Sequence, residues 1–472
     1  MKMNNIKNTI ESKYHRYSRL LSHLSPAHVI PLSFLLAIMA GTAILMLPWA
    51  SADGHAADFL TACFTATTSV CVTGLVVADT YAYWSLFGQI VILILIQIGG
   101  LGIISAVTLL MMKFDRKISL RDRMLLQEAL NLDSISGTLR FLYRVVRGTL
   151  LVEGAGALLY LFSFAAEYGW KKGLWFSVFH AVSAFCNAGI DILGPDSLMR
   201  YNSDPYVLGV TMALIIMGGL GYVVWFDIHS AVRKGFIRRY GPRQIFDRFS
   251  EHSRLVIVLT AAFILGGAVI IFLAERTNPA TLGGMPLKDQ MLGSLFQSVT
   301  FRTAGFAAIP QDKLTGISCL SGYLLMFIGG SPAGTAGGVK TVTFFLVICN
   351  AVSYISSRNS AVIFKRKVSE ERMRKAAAIV LISALTTLFM TVLLMAVSRV
   401  SLEDGLFEIC SAIATVGLTR GLTPGLSAAG KWIVIISMYL GRIGPISMAL
   451  FFSRKKPEKN LISYAEGRFY VG

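Results

Sequence analysis

The sequence predicts an all-α, polytopic membrane protein made of four pseudo-symmetric helix–re-entrant loop–helix repeats, with eight crossings. Three observations carry this reading. Apolar residues make up 54% of the 472-residue chain and charged residues only 15%, against about a quarter in soluble chains; mean hydropathy is +0.62. Apolar stretches such as 29–47, 90–112, 207–226 and 376–397 approach or exceed the ~20 residues a helix needs to cross a bilayer. A short glycine motif recurs four times at nearly constant spacing.

The segments follow in order. Residues 1–27 are polar and basic, show no cleavable signal peptide, and are expected in the cytoplasm. Repeats span 28–112, 140–231, 253–356 and 372–452, and residues 453–472 form a basic tail. Of the 44 Lys and Arg, 32 fall in five polar segments: 1–27, 113–147, 232–254, 357–375 and 453–472. Basic loops stay inside, while Asp53, Asp79, Asp191, Asp196, Asp204 and Asp312 occupy the opposite loops. Both termini are therefore placed in the cytoplasm, and eight crossings fit five inside segments. The net charge of +18 is explained by this alternation, so the expected partner is the lipid bilayer and not nucleic acid. The six cysteines show neither CxxC nor metal-ligand spacing, and Cys63, Cys71, Cys186 and Cys410 read as small apolar packers.

The repeat rests on four segments: Cys71-Val72-Thr73-Gly74-Leu75, Cys186-Asn187-Ala188-Gly189-Ile190, Arg302-Thr303-Ala304-Gly305-Phe306 and Ala414-Thr415-Val416-Gly417-Leu418. Their glycines lie 115, 116 and 112 residues apart, and Phe64, Phe179, Phe296 and Phe407 precede them by nine or ten residues. Each stretch is too short to span, which suits a half-length helix that enters and returns on the outer side. A second glycine pattern follows inside the next apolar helix: Gly99-Gly100-Leu101-Gly102, Gly218-Gly219-Leu220-Gly221, Gly329-Gly330 and Gly441-Arg442.

Non-helical backbone is tolerated at membrane depth where it is buried in protein or lines a water-filled cavity. Backbone carbonyls in a glycine loop can replace the hydration shell of a monovalent cation. The short helix ending there points its negative end at the ion, and acids at three of the four starts (Asp58; Asp289; Glu403 with Asp404) suit the positive end. The second short helix begins near Lys171-Lys172 instead, which marks a different start. The repeats are thus predicted to enclose a central cation pore.

These loops resemble the selectivity filters of the Trk/Ktr/HKT superfamily of potassium transporters, over residues from about 28 to the end. Residues 67–75 look like the family's first filter and 301–306 like its third. With its first crossing near Val29, the chain is most similar to the membrane subunit of bacterial Ktr systems. The resemblance implies a pore lined by carbonyls of Val72, Thr73, Gly74, Asn187, Ala188, Gly189, Thr303, Ala304, Gly305, Thr415, Val416 and Gly417. It implies K+ as the transported ion, Na+ as a coupling or activating ion, and no covalently bound cofactor. Glycine rather than serine at position 74 favours potassium. It further implies a homodimer over a cytosolic, nucleotide-binding ring of RCK domains, in a bacterial inner membrane.

Two departures from the repeat point to control. Residues 329–340 hold Gly329, Gly330, Gly334, Gly337, Gly338 and Pro332, too many breakers for a regular helix. The third unit alone is therefore expected to interrupt its second helix, and the segment matches the family's intramembrane gating loop. Arg442 stands where other units have Gly100, Gly219 and Gly330. An intramembrane arginine is expensive and points to function. It is expected to face the pore and hold the loop through carbonyls, with Lys340 anchoring the loop's end and Arg302 bracing a filter. Glu153 is expected to accept hydrogen bonds from a pore helix or loop. Asp227 lies near the inner end of its helix, and His180 reads as a core or rim residue. The competing readings are a sodium-conducting or weakly selective channel and, more remotely, a polytopic membrane enzyme, for which no HExxH or related pattern is present. A scaffold without transport would leave four matched loops unexplained.

Overall fold

The computed structural model describes residues 26–113, 118–130, 135–357 and 360–444. Apart from residues 26 and 27, the expected N-terminal segment lies outside the described residues. So do the C-terminal tail and the end of the fourth repeat from 445. The described chain is mostly helical; residues 362–363 and 366–367 pair as a small antiparallel hairpin.

Four helices are long and apolar enough to cross a membrane: Pro26–Leu45, Thr138–Tyr168, Glu251–Glu275 and Glu370–Ser398. Their outward positions are large and apolar. Leu36, Leu151, Leu265 and Val392 are 60–64% exposed, a surface that suits lipid and not water. After each comes a short helix: Phe59–Cys71, Trp170–Cys186, Leu287–Phe301 and Leu402–Ile413. Each short helix packs on the long helix before it and on the helix that follows. Phe64, Phe179, Phe296 and Phe407 are fully buried there. Contacts also close in a circle. Leu86–Leu101 packs on Trp170–Cys186, Pro205–Leu220 on Leu287–Phe301, Gly316–Phe327 on Leu402–Ile413, and Ala428–Ile443 returns to Phe59–Cys71.

Helix starts follow local chemistry. Asp58 caps the first short helix by accepting from the amides of Leu60 and Thr61, while Asp289, Glu403 and Asp404 sit in the first turns of the third and fourth. The second begins at Gly169, whose φ is 77°, without a side-chain cap. Ser85, Asp204, Thr315 and Ser427 cap the four helices that follow the short ones, each worth about 1 kcal/mol.

The expectation that only the third unit interrupts its second helix needs correction. Leu86–Leu101 and Ile103–Met112 meet at a 98° bend, and Pro205–Leu220 and Tyr222–Gly235 at 101°. The hinges are Gly102 and Gly221, with φ of 84° and 90°, and Ala428–Ile443 ends at Gly444, with φ of 88°. A left-handed residue cannot continue a right-handed helix, and glycine adopts that conformation without a Cβ penalty. What sets the third unit apart is length: its break runs from Ile328 to Lys340 before Thr341–Ile355 resumes.

One tie was not anticipated. The buried Glu275 carboxylate ends its helix by accepting from Thr315 N (2.9 Å), Thr315 Oγ1 (2.7 Å), Thr281 Oγ1 (2.5 Å) and Asn278 Nδ2 (2.8 Å). It joins the first and second helices of the third unit. Glu275→Ala leaves these donors unpaired and is expected to destabilise by about 2–4 kcal/mol, read as an earlier loss of the monodisperse peak on heating in detergent; an unchanged midpoint would remove this role.

Candidate functional site

The four motif glycines meet. Gly74, Gly189, Gly305 and Gly417 all have positive φ, between 63° and 102°. A Cβ on Gly74 would lie 2.5 Å from Ala188 O, and one on Gly189 2.6 Å from Ala304 O; on Gly305 and Gly417 it would crowd Val416 O and Thr73 O. Each glycine thus abuts the carbonyl preceding the next unit's glycine, and the fourth returns to the first. The result is a closed ring of four backbone loops.

A second register runs one step below. Val72, Asn187, Thr303 and Thr415, each two residues before its glycine, are left-handed with φ of 52–66°. Left-handed residues here reverse the chain as it leaves the short helix. They are held by the helix end: Thr73 N, Ala188 N and Val416 N each donate to a carbonyl five residues back, at 2.8 Å, whereas Ala304 N reaches only four back, to Thr300. Hydroxyls brace the ring from behind. Thr68 Oγ1 accepts from Gly74 N (2.9 Å), Ser411 Oγ accepts from Gly417 N (3.0 Å), and Thr300 Oγ1 donates to Phe306 O (2.7 Å).

The second glycine pattern has a geometric reason. A Cβ at Gly99, Gly218 or Gly441 would collide with Val70 O, Phe185 O or Ile413 O. Each of those carbonyls lies four residues before a ring glycine. Glycine lets the broken helix back directly onto the end of a short helix. In the third unit Gly329 packs instead on Gly337, within its own loop.

That loop lies against the inner side of the ring. Ser331 N and Thr335 N donate to Gly219 O and Gly218 O (2.9 and 3.1 Å), Tyr222 N donates to Ala333 O (2.9 Å), and Gly337 packs on Ala414 and Thr415. Arg442 Nη1 donates to Thr335 O (2.8 Å) and Nη2 to Gly99 O (2.5 Å). One guanidinium therefore joins the loop to the first unit's break. Lys340 Nζ donates to Ala336 O (2.6 Å), inside the loop, and Arg302 Nη2 to Gly329 O (3.3 Å), where the loop begins. Arg302 thus reaches the loop as well as adjoining the third strand of the ring. A cavity of about 660 Å³ below the ring is lined by Gly99, Tyr222, Ala336, Lys340, Ala414 and Arg442, among others.

The other candidates have local partners. Glu153 accepts from Gln97 Nε2 (3.2 Å) on the first unit's second helix, and Cys186 Sγ at the end of the second short helix lies 3.8 Å away. Asp227 accepts from Ser250 N (2.8 Å) at the start of Glu251–Glu275. His180 is fully buried among the rings of Tyr160, Phe164 and Phe306. Cys63, Cys71, Cys186 and Cys410 are buried and unpaired. Glu408, overlooked in the sequence, is fully buried on the fourth short helix and accepts from Thr419 Oγ1 (2.7 Å) and from Thr423 Oγ1. A lone acid in an apolar run was its signal.

Comparisons with known proteins identify the family and the fold. A family profile described as TrkH, cation transport protein, matches residues 28–464. The Ktr system potassium uptake protein B of Bacillus subtilis is 37% identical over 449 residues, 95% of this chain and 97% of that protein. The potassium/sodium uptake protein NtpJ of Enterococcus hirae is 35% identical over 460 residues, 96% of this chain and 99% of that one. The solved structure of the potassium transporter TrkH from Vibrio parahaemolyticus matches with a TM-score of 0.71 at 15% identity, over 92% of this chain and 86% of that one, a likeness of fold.

Proposed function

The chain belongs to the TrkH family of cation transport proteins, and from that premise we propose that it is the pore-forming subunit of a Ktr-type potassium uptake system. The observation that carries the reading is the closed ring of Gly74, Gly189, Gly305 and Gly417, where four loops from four repeats meet through backbone carbonyls. Such a ring suits a dehydrated monovalent cation. Four long helices, three broken ones and Ala428–Ile443, which ends at Gly444, support eight crossings around it in the repeats 28–112, 140–231, 253–356 and 372–452. The membrane-enzyme reading is set aside, because members of this family are cation transporters.

In this reading the ion enters from the side of the short helices' N-termini, sheds water against the carbonyls of Val72–Gly74, Asn187–Gly189, Thr303–Gly305 and Thr415–Gly417, and meets the loop 329–340 and Arg442 before the inner cavity. The relative's name as a Ktr system protein supports assembly with a regulatory partner. A homodimer over an RCK ring, in the inner membrane with both termini cytoplasmic, is consistent with the basic inside segments. One observation favours a second reading, transport of sodium as well: the similar NtpJ is named a potassium/sodium uptake protein.

Expression with a Ktr-type regulatory partner is expected to restore growth at low potassium in cells lacking their own uptake systems. Absence of rescue by protein shown to be inserted in the membrane would count against potassium uptake. Equal rescue of K+ and Na+ influx would favour the second reading.

A further inference from the structure

The loop 329–340 touches the ring asymmetrically. On the fourth strand the contact is packing of Gly337 against Ala414 and Thr415. On the second strand it is a buried side-chain hydrogen bond. Thr335 Oγ1 lies 3.1 Å from Phe185 O and 3.0 Å from Asn187 Oδ1, while Asn187 Nδ2 is buried without a partner. A hydroxyl has one proton and cannot donate to both acceptors. Half a turn of the Asn187 amide satisfies the set: Thr335 donates to Phe185 O and accepts from the Asn187 NH2 group. The amide oxygen then takes the position 3.9 Å from where a Cβ on Gly219 would stand.

The two residues that Thr335 grips matter for shape. Phe185 O is the helix-end carbonyl on which Gly218 packs, and Asn187 is the left-handed residue that turns the second strand into the ring. Thr335 N is itself fixed to Gly218 O, and Thr335 O receives Arg442. Every polar group of this one residue is thus committed to the second unit's broken helix, the second filter strand or Arg442. The residues matching Asn187 in the other strands, Val72, Thr303 and Thr415, receive no such hydroxyl: the Thr303 and Thr415 Oγ1 atoms are buried without partners.

We propose that Thr335 is a positioning residue through which the intramembrane loop shapes the second filter strand, so that the loop sets ion selectivity as well as passage. This rests on the potassium-uptake reading above. A loop held in place keeps Asn187 turned and its amide oriented; a loop withdrawn releases both, and the ring relaxes on one side.

The test measures K+ and Na+ fluxes of the purified full-length chain in liposomes. Thr335→Val preserves shape and removes the hydroxyl; it is expected to lower the K+ to Na+ flux ratio about fivefold, the order set by losing one buried hydrogen bond. Thr335→Ser is expected to restore the ratio. A Thr335→Val protein whose two fluxes change in the same proportion, or not at all, overturns the proposal, since a mere plug would act on both ions alike. Should that variant fail to fold, Thr335→Ala is read in the same way. Wild-type protein that passes no potassium even with a Ktr-type regulatory partner added would refute the transport reading instead, so the two failures are distinct.

Discussion

Gly305→Ser is expected to lower the K+ to Na+ flux ratio by at least about tenfold, the change that 1.4 kcal/mol produces. Gly305 has φ of 84°, where a non-glycine residue costs about 1–2 kcal/mol. Its new Cβ would also crowd Val416 O and lie 2.9 Å from Gly189 Cα and 3.2 Å from Gly417 Cα. Strain in one loop therefore reaches the second and fourth strands directly. A ring that discriminates by carbonyl position, as proposed for these loops, cannot absorb this without changing what it discriminates. Gly284→Ser is the control, since nothing lies within 4 Å of its Cβ position; it is expected to leave the ratio unchanged. Tracer fluxes in liposomes give both values, and an unaltered ratio for Gly305→Ser would remove the filter role from this loop.

The ring glycines could be read from the sequence because three constraints coincide on them: positive φ, close approach and fourfold recurrence. Phe64, Phe179, Phe296 and Phe407 were legible for a related reason, as large apolar anchors at fixed distance from those glycines. The bends at Gly102 and Gly221 were not. Hydropathy runs unbroken through them, and a glycine after Gly-Gly-Leu looks the same in a straight helix packed closely on a neighbour. The left-handed Val72, Asn187, Thr303 and Thr415 were also hidden, since tertiary contacts and not residue type impose that conformation on valine and threonine. Arg442 was legible as an intramembrane charge, but its second partner, Gly99 O, lies 343 positions away. The grip of Thr335 on Phe185 spans 150 positions. Contacts of this kind belong to the closure of the whole circle, which no single repeat encodes.

Arg442→Ala is expected to raise potassium flux between about tenfold and a hundredfold in the absence of a regulatory partner. Two effects act together. The guanidinium binds Thr335 O and Gly99 O, and hydrogen bonds from charged groups contribute about 1.5–3 kcal/mol each. In the proposed pathway its charge also faces an approaching cation. At a separation of roughly 6 Å and an effective dielectric near 20, two like charges repel by about 3 kcal/mol. Both bonds of Arg442 end on carbonyls, and among the described residues no carboxylate forms an ion pair with it. Arg442→Lys separates the effects: an ammonium keeps the charge but lacks the planar fork that spans two carbonyls. Low flux with lysine and high flux with alanine would identify the charge as the barrier; high flux with both would identify the tether. Deleting 331–338 removes Thr335, and with it the tether's far end, and is expected to raise flux even with Arg442 intact. Unchanged flux in both Arg442→Ala and the deletion would take the gate away from this region. Because Arg442 and Phe185 are joined through the same residue, Thr335, opening that weakens the tether should reach the filter too. The deletion is therefore expected to pass more potassium and to reject sodium less well.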